Sequence, residues 1–276
     1  MKRFLIRTSR TLALIYAGLL LLVAGCQSTL LYHPVRGSET ELLARAARER
    51  MEPWRDAQGA LIGWRRANPG ARNRLVIFHG NAGFALHRVH YADAFSTLGG
   101  GAEWEVYIVE YPGYGARGGS PGKDAFIAAG RAAIESLPTT DVRPVFVLGE
   151  SIGSGTASAV AGAMPGKIAG VAAVIPFARL AEVAGEKFPI LPTGLLLRDK
   201  FDNIAALSAF TGPVGVVVAS NDEVIGASQG RKLHDSLATR KHLIVLEGAG
   251  HNDFPVAPDA PWFRELSDFL LGPAAR

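Results

Sequence analysis

Six short, mostly β-branched runs recur along the chain: Leu75-Val-Ile-Phe78, Val106-Tyr-Ile-Val109, Val145-Phe-Val-Leu148, Val171-Ala-Ala-Val-Ile175, Val214-Gly-Val-Val-Val218 and Leu243-Ile-Val-Leu246. Runs this brief and this uniformly apolar suit strands buried on both faces of a parallel sheet. Helical stretches separate them, the best at 85–97, 122–136, 153–163, 226–238 and 261–271. The alternation predicts a mostly parallel, doubly wound α/β sheet. Ahead of it, 54–66 carries alternating apolar positions around Asp56-Ala-Gln-Gly59, the pattern of an antiparallel hairpin. Ser38-Glu-Thr-Glu41 has capping-box spacing and predicts a helix start. With 48% hydrophobic and 20% charged residues, the 276-residue chain is neither disordered nor collagen-like. One α/β domain spanning 54–276 accommodates all of these runs. In such sheets ligands gather at the carboxyl ends of the strands, so chemistry is sought there.

Gly149-Glu-Ser-Ile-Gly153 lies at such an end, directly after a predicted strand and before a predicted helix. A strand-to-helix turn that tight demands tiny neighbours, which Gly149, Gly153 and Gly155 supply, and it leaves Ser151 projecting alone. The helix beginning there aims free N–H groups at the same point. A serine hydroxyl needs a base, and the base needs an acceptor that fixes its tautomer. Asp222 in Ser220-Asn-Asp-Glu-Val-Ile225 and His251 in Gly248-Ala-Gly-His-Asn-Asp253 each follow a later strand. Of the seven histidines, His251 alone combines chain order, strand-end position and a glycine-rich approach. His234 and His242 read as helix-surface and strand-edge residues. Glu223 and Asp253 rival Asp222 as the acid, although Asp253 is too near His251 in sequence to reach across to its Nδ1.

From about residue 54 to 271 the chain resembles an α/β-hydrolase of the Bem46-like type, a branch of serine hydrolases that is also similar to the catalytic domain of prolyl oligopeptidases and includes protein depalmitoylases. The residues carrying the resemblance are His79-Gly-Asn-Ala-Gly83, Tyr111-Pro-Gly-Tyr-Gly115, Leu148-Gly-Glu-Ser-Ile-Gly-Ser-Gly155, Asp222 and Gly250-His-Asn-Asp253. It implies an α/β-hydrolase fold, Ser151 as nucleophile, His251 as base, Asp222 as orienting acid, and the backbone N–H groups of Asn81 and Ile152 as oxyanion hole, with no metal or cofactor. The side chains of His79 and Asn81 are expected to serve loop structure. Arg117 stands where the resemblance would place a serine, so the local bonding of that loop should differ.

The chain opens on a basic stretch with Lys2, Arg3, Arg7 and Arg10, then an apolar run from Thr11 to Gly25 that ends at Cys26, the sole cysteine. This is the charge order and length of a secretory signal peptide. Leu22-Val-Ala-Gly-Cys26 resembles a bacterial lipobox, which implies removal of residues 1–25, lipidation of Cys26 and a tether in the cell envelope. Gln27, by the same analogy, favours the periplasmic face of the outer membrane. A signal anchor is the alternative, with the apolar stretch close to the ~20 residues of a spanning helix. Residues 26–53 then form a lipidated segment and linker helix.

The four leader cations account for the net charge of +4, because removing them from the 29 basic residues leaves as many as the 25 acids. Nucleic-acid binding, which needs a concentrated cationic face, loses its support. Residues 176–213 exceed a plain crossover and are broken by Pro176, Pro189 and Pro192. This insertion reads equally as a lid, with Phe188, Ile190 and Leu195 to Leu197 covering an acyl-binding cleft, or as packing on the sheet. The expected partner is a small-molecule ester or thioester with a short-to-medium acyl chain. The alternatives are a peptidase, for which the chain has no room for a propeller domain, and a lipid-anchored binding protein with an idle site.

Overall fold

The computed structural model describes residues 1–272. Its strands are β1 Glu52–Arg55, β2 Leu61–Arg66, β3 Asn73–Phe78, β4 Trp104–Val109, β5 Val145–Glu150, β6 Gly170–Val174, β7 Val214–Ala219 and β8 Lys241–Leu246. They form one sheet in the order β1-β2-β4-β3-β5-β6-β7-β8. β1 and β2 make the expected hairpin and β2 joins β4 antiparallel, whereas every pairing from β4 through β3 to β8 is parallel. This is the α/β-hydrolase fold, a mostly parallel sheet with an N-terminal antiparallel hairpin.

The helices are α1 Lys2–Leu31, α2 Glu39–Arg48, α3 Val89–Phe95, α4 Lys123–Glu135, α5 Ile152–Ala163, α6 Leu180–Lys187, α7 Thr193–Leu196, α8 Asn203–Leu207, α9 Ala227–Ser236 and α10 Pro261–Leu271. They cover both faces of the sheet, which is why the strand sequences are apolar at successive positions. Along β3, Val76 and Phe78 face a core shared with Phe126 of α4, Val160 of α5 and Leu233 of α9. Leu75 and Ile77 face the other core, with Tyr91 and Phe95 of α3 and Phe263 and Leu266 of α10. The same two-residue alternation runs through β5 and β6, so each strand feeds both cores.

The helix expected over 85–97 divides into a 3₁₀ turn, Ala85–Arg88, and α3. α1 runs unbroken through Cys26 to Leu31, because the Gln27-Ser-Thr-Leu-Leu31 stretch contains no helix breaker. Beyond α1 the chain forms a strap. Pro34 pairs with Gly83 and Arg36 with Gly115 in parallel bridges, after which α2 starts at the Ser38–Glu41 capping box.

The insertion between β6 and β7 packs at both ends: Phe177, Leu180 and Val183 are buried at one and Phe201 and Leu207 at the other, and Asn203 Nδ2 donates to Ser154 Oγ on α5 and to the Phe177 carbonyl. Its middle, around α7, leaves Phe188, Ile190 and Leu195 exposed.

Candidate active site

Ser151 occupies the single residue between β5 and α5. Its backbone sits at φ 53°, ψ −119°, a conformation that side-chain-bearing residues avoid, so the surroundings must hold it there. They do so through contacts that only glycine permits. A Cβ on Gly149 would strike the Gly153 carbonyl, and one on Gly153 would strike the carbonyl oxygen of Phe78 at the end of β3. The first turn of α5 is thus pressed against the loop that carries Asn81. Ser151 N–H donates to the Val174 carbonyl, tying the turn to β6 as well.

The acid and base arrive on neighbouring strands. Ala219 of β7 is in register with Leu246 of β8, so the loops that follow emerge side by side. They are zipped together: Ser220 N–H donates to the Leu246 carbonyl, Asn221 N–H to the Ala249 carbonyl, and Gly248 N–H to Ser220 Oγ. Asp222 Oδ1 accepts from the N–H groups of Val224 and Ile225 and shapes its own turn, leaving Oδ2 to face His251 Nδ1 at 2.8 Å. His251 Nε2 lies 3.1 Å from Ser151 Oγ. The structure therefore brings Ser151, His251 and Asp222 into one hydrogen-bonded line at the carboxyl ends of β5, β7 and β8.

The two rival acids hold the histidine loop instead. Glu223 Oε2 accepts from the His251 N–H at 3.3 Å, and Asp253 Oδ1 accepts from the Gly250 N–H at 2.5 Å. Burial opposes ionisation of Asp222, but the bonds from His251, Ile225 and Val224 together outweigh it and keep the carboxyl below its ordinary range. An ionised Asp222 accepts a hydrogen bond from Nδ1–H and leaves Nε2 free to accept from the serine hydroxyl.

Among the described residues, neither the Asn81 N–H nor the Ile152 N–H donates to another protein group. The Ile152 N–H follows Ser151 directly and lies at the positive end of the 12-residue helix α5, and Asn81 is on the loop after β3, against whose start Gly153 packs. The Asn81 side chain, by contrast, is fully engaged. Its Nδ2 donates to the Leu31 carbonyl, and its Oδ1 accepts from His33 N–H and from Tyr114 Oη–H. The strap is further bonded to Gly83 and Gly115, so the segment after α1 fixes the loop bearing the Asn81 N–H. His79 is buried against Tyr111 and Tyr114, its Nδ1 at 2.7 Å from the Gly80 carbonyl. Arg117, where the loop departs from the resemblance, donates to the Glu110 carbonyl.

Sequence reasoning missed a second layer. Glu150, beside the nucleophile position, is buried and accepts a forked pair of bonds from Arg88 Nε and one from Tyr91 Oη–H. Burial disfavours its charge, yet the Arg88 guanidinium prevails and holds the carboxyl below its ordinary range. Gly80 rests directly on this pair, with no space for a Cβ. The available signal was a charged residue ending an apolar strand. Among the described residues, no three His, Cys, Asp or Glu side chains are grouped so as to hold a metal ion.

A cleft of about 490 Å³ opens between one stripe of α1 (Leu19, Val23, Gln27 and Leu30) and the insertion, where Phe188 and Leu196 line it. Leu31, also in its wall, is the residue whose carbonyl Asn81 holds.

No family model matches the chain. An uncharacterized protein of Mycobacterium tuberculosis is 31% identical over 249 residues, which covers 87% of this chain and 86% of that one. The human alpha/beta hydrolase domain-containing protein 17B is 31% identical over 191 residues, 68% of this chain and 63% of that protein. Among solved structures, an esterase of Pyrococcus furiosus superposes with a TM-score of 0.64 at 17% identity, covering 88% of this chain and 98% of that one. The chain has the α/β-hydrolase fold, and a hydrolase is the coarse reading that fold and relatives together support.

Proposed function

We propose that this α/β-hydrolase is a membrane-tethered serine hydrolase that cleaves carboxylic esters or thioesters through an acyl-enzyme, as a member of the Bem46-like branch. The observation that carries this reading is the hydrogen-bonded line from Asp222 through His251 to Ser151 beside two unengaged backbone N–H groups. Ser151 Oγ attacks the acyl carbonyl while its proton passes to His251 Nε2, and Asp222 stabilises the imidazolium through Nδ1–H. The oxyanion accepts from the Asn81 and Ile152 N–H groups, each such donor being worth ~10²–10³ in rate. The tetrahedral intermediate collapses as Nε2–H protonates the departing alkoxide or thiolate. His251 next takes a proton from water, whose oxygen attacks the acyl-enzyme and releases the acid and free Ser151. In the unprocessed chain the apolar cleft beside α1, about 490 Å³, suits a short-to-medium acyl chain; processing at Cys26 would remove its Leu19 and Val23 wall and leave Gln27, Leu30, Leu31 and the insertion.

The test is turnover of p-nitrophenyl esters and labelling by a fluorophosphonate. Ser151→Ala should abolish both while the protein stays folded by circular dichroism. Wild-type protein that neither turns over esters or thioesters nor takes the label would leave the binding-protein reading, and turnover of peptides alone would leave the peptidase.

The tether belongs to the same reading. α1 is apolar enough over Arg3–Leu31 to cross a membrane, with a mean hydropathy of 1.9, and Cys26 is exposed on it. Processing at the lipobox-like sequence would make lipidated Cys26 the new terminus and hold the enzyme in the bacterial envelope, at the periplasmic face of the outer membrane. The intact mass of protein isolated from membranes decides this: loss of residues 1–25 with added acyl mass supports lipidation, and an unprocessed chain supports a spanning anchor.

A further inference from the structure

The exposed apolar residues of the insertion are not scattered. Phe188 (57% exposed), Ile190 (72%) and Leu195 (84%) lie within eight positions of chain, in the exposed middle of the insertion. Arg198 and Lys200 follow directly, both exposed, and among the described residues neither forms an ion pair. An apolar tip rimmed by uncommitted cations is the surface that settles into the boundary between acyl chains and anionic headgroups.

The same tip is fixed to the place where the chain would leave a membrane. Gln27 Nε2 donates to the Leu196 carbonyl, and its Oε1 accepts from the Arg198 N–H, so one side chain grips both sides of Leu197. Tyr16 Oη–H donates to the Ile190 carbonyl, and Tyr32 Oη–H to Asp199 at 2.6 Å. Gln27 is the residue after Cys26. With acyl chains on Cys26, the bilayer surface therefore lies within a residue or two of the insertion; the Gln27 and Tyr32 bonds survive that processing, and the Tyr16 bond belongs to the unprocessed chain alone.

We infer that the tip formed by Phe188, Ile190 and Leu195, with Arg198 and Lys200 at its rim, docks on the anionic surface of the bilayer in which the chain is anchored. This rests on the tether reading above and is independent of the chemistry at Ser151.

The test uses the full chain reconstituted in vesicles of phosphatidylcholine and phosphatidylglycerol. The native tryptophans Trp54, Trp64, Trp104 and Trp262 are all buried and give a common background. Leu195→Trp reports from the tip, and Val142→Trp, at a 92% exposed position just before β5, reports from the amino ends of the strands. With phosphatidylcholine brominated near the top of its acyl chains, Leu195→Trp should be quenched several-fold more than Val142→Trp. Replacing Arg198 and Lys200 by alanine in that variant should remove the gain conferred by phosphatidylglycerol. Equal quenching at the two sites in vesicle-bound protein would overturn the docking and leave the tether standing. A full chain that fails to associate with the vesicles would overturn both.

Discussion

The rim of the sheet around Ser151 and the exposed stretch of the insertion are built by opposite means. At the rim, Ser151 and His251 are buried, the glycines admit no Cβ, and the acidic side chains are committed to named partners. On the insertion, α7 has four residues, none of them buried, and the segment is held by a few polar bonds to α1 and to the Glu223 carbonyl through Lys187. The difference separates two duties. Positioning of reacting atoms tolerates little displacement, because errors near 1 Å already cost rate. Contact with lipid or an acyl chain asks only for exposed apolar area, so the insertion can be loosely specified without loss to the chemistry.

The comparison can be broken most directly at Asp222. Asp222→Asn should lower kcat by about 10⁴, because the amide would favour the wrong imidazole tautomer, with little change in fold. Its carboxyl is held below the ordinary value of 3.8, so the stability it contributes is complete above about pH 4 and is lost as pH falls through the folded value. A thermal-melt series against pH should accordingly show wild type and Asp222→Asn converging in acid and parting above that point. Retention of full kcat in the variant would remove Asp222 from its role.

A smaller effect is expected one layer back. Arg88→Ala strands the Glu150 carboxylate in the core and should destabilise the protein by about 3–5 kcal/mol, read by urea denaturation. Leu195→Ser, on the insertion, should stay within about 0.5 kcal/mol of wild type in the same measurement. Similar losses at the two sites would mean that the insertion carries structural weight, and the contrast drawn here would fail.

What could be read from the sequence follows the range of the interactions. The six apolar runs lie within or at the edges of β3 to β8 because burial on two faces leaves a local signature. Ser151, Asp222 and His251 were legible because a steric turn and two strand-end loops announce themselves within a few residues each. The Arg88–Glu150 pair joins positions 62 residues apart and has no local pattern. Nor has the strap, whose bonds to Gly83 and Gly115 are main-chain and would form with many sequences. The continuation of α1 to Leu31 has no hydropathy signal, because hydropathy falls at Gln27 while helix-forming capacity does not.

The strap also has a practical bearing on how this enzyme can be produced. Trimming the hydrophobic leader for expression in soluble form is an obvious step, yet the carbonyl of Leu31 and the amide of His33 are what the Asn81 side chain grips. A recombinant version cut back to the start of α2 would keep Ser151, His251 and Asp222 and still lose the brace under the loop that bears the Asn81 N–H, one of the two donors of the proposed oxyanion hole. Sluggish turnover from such a preparation would reflect the scissors rather than the enzyme.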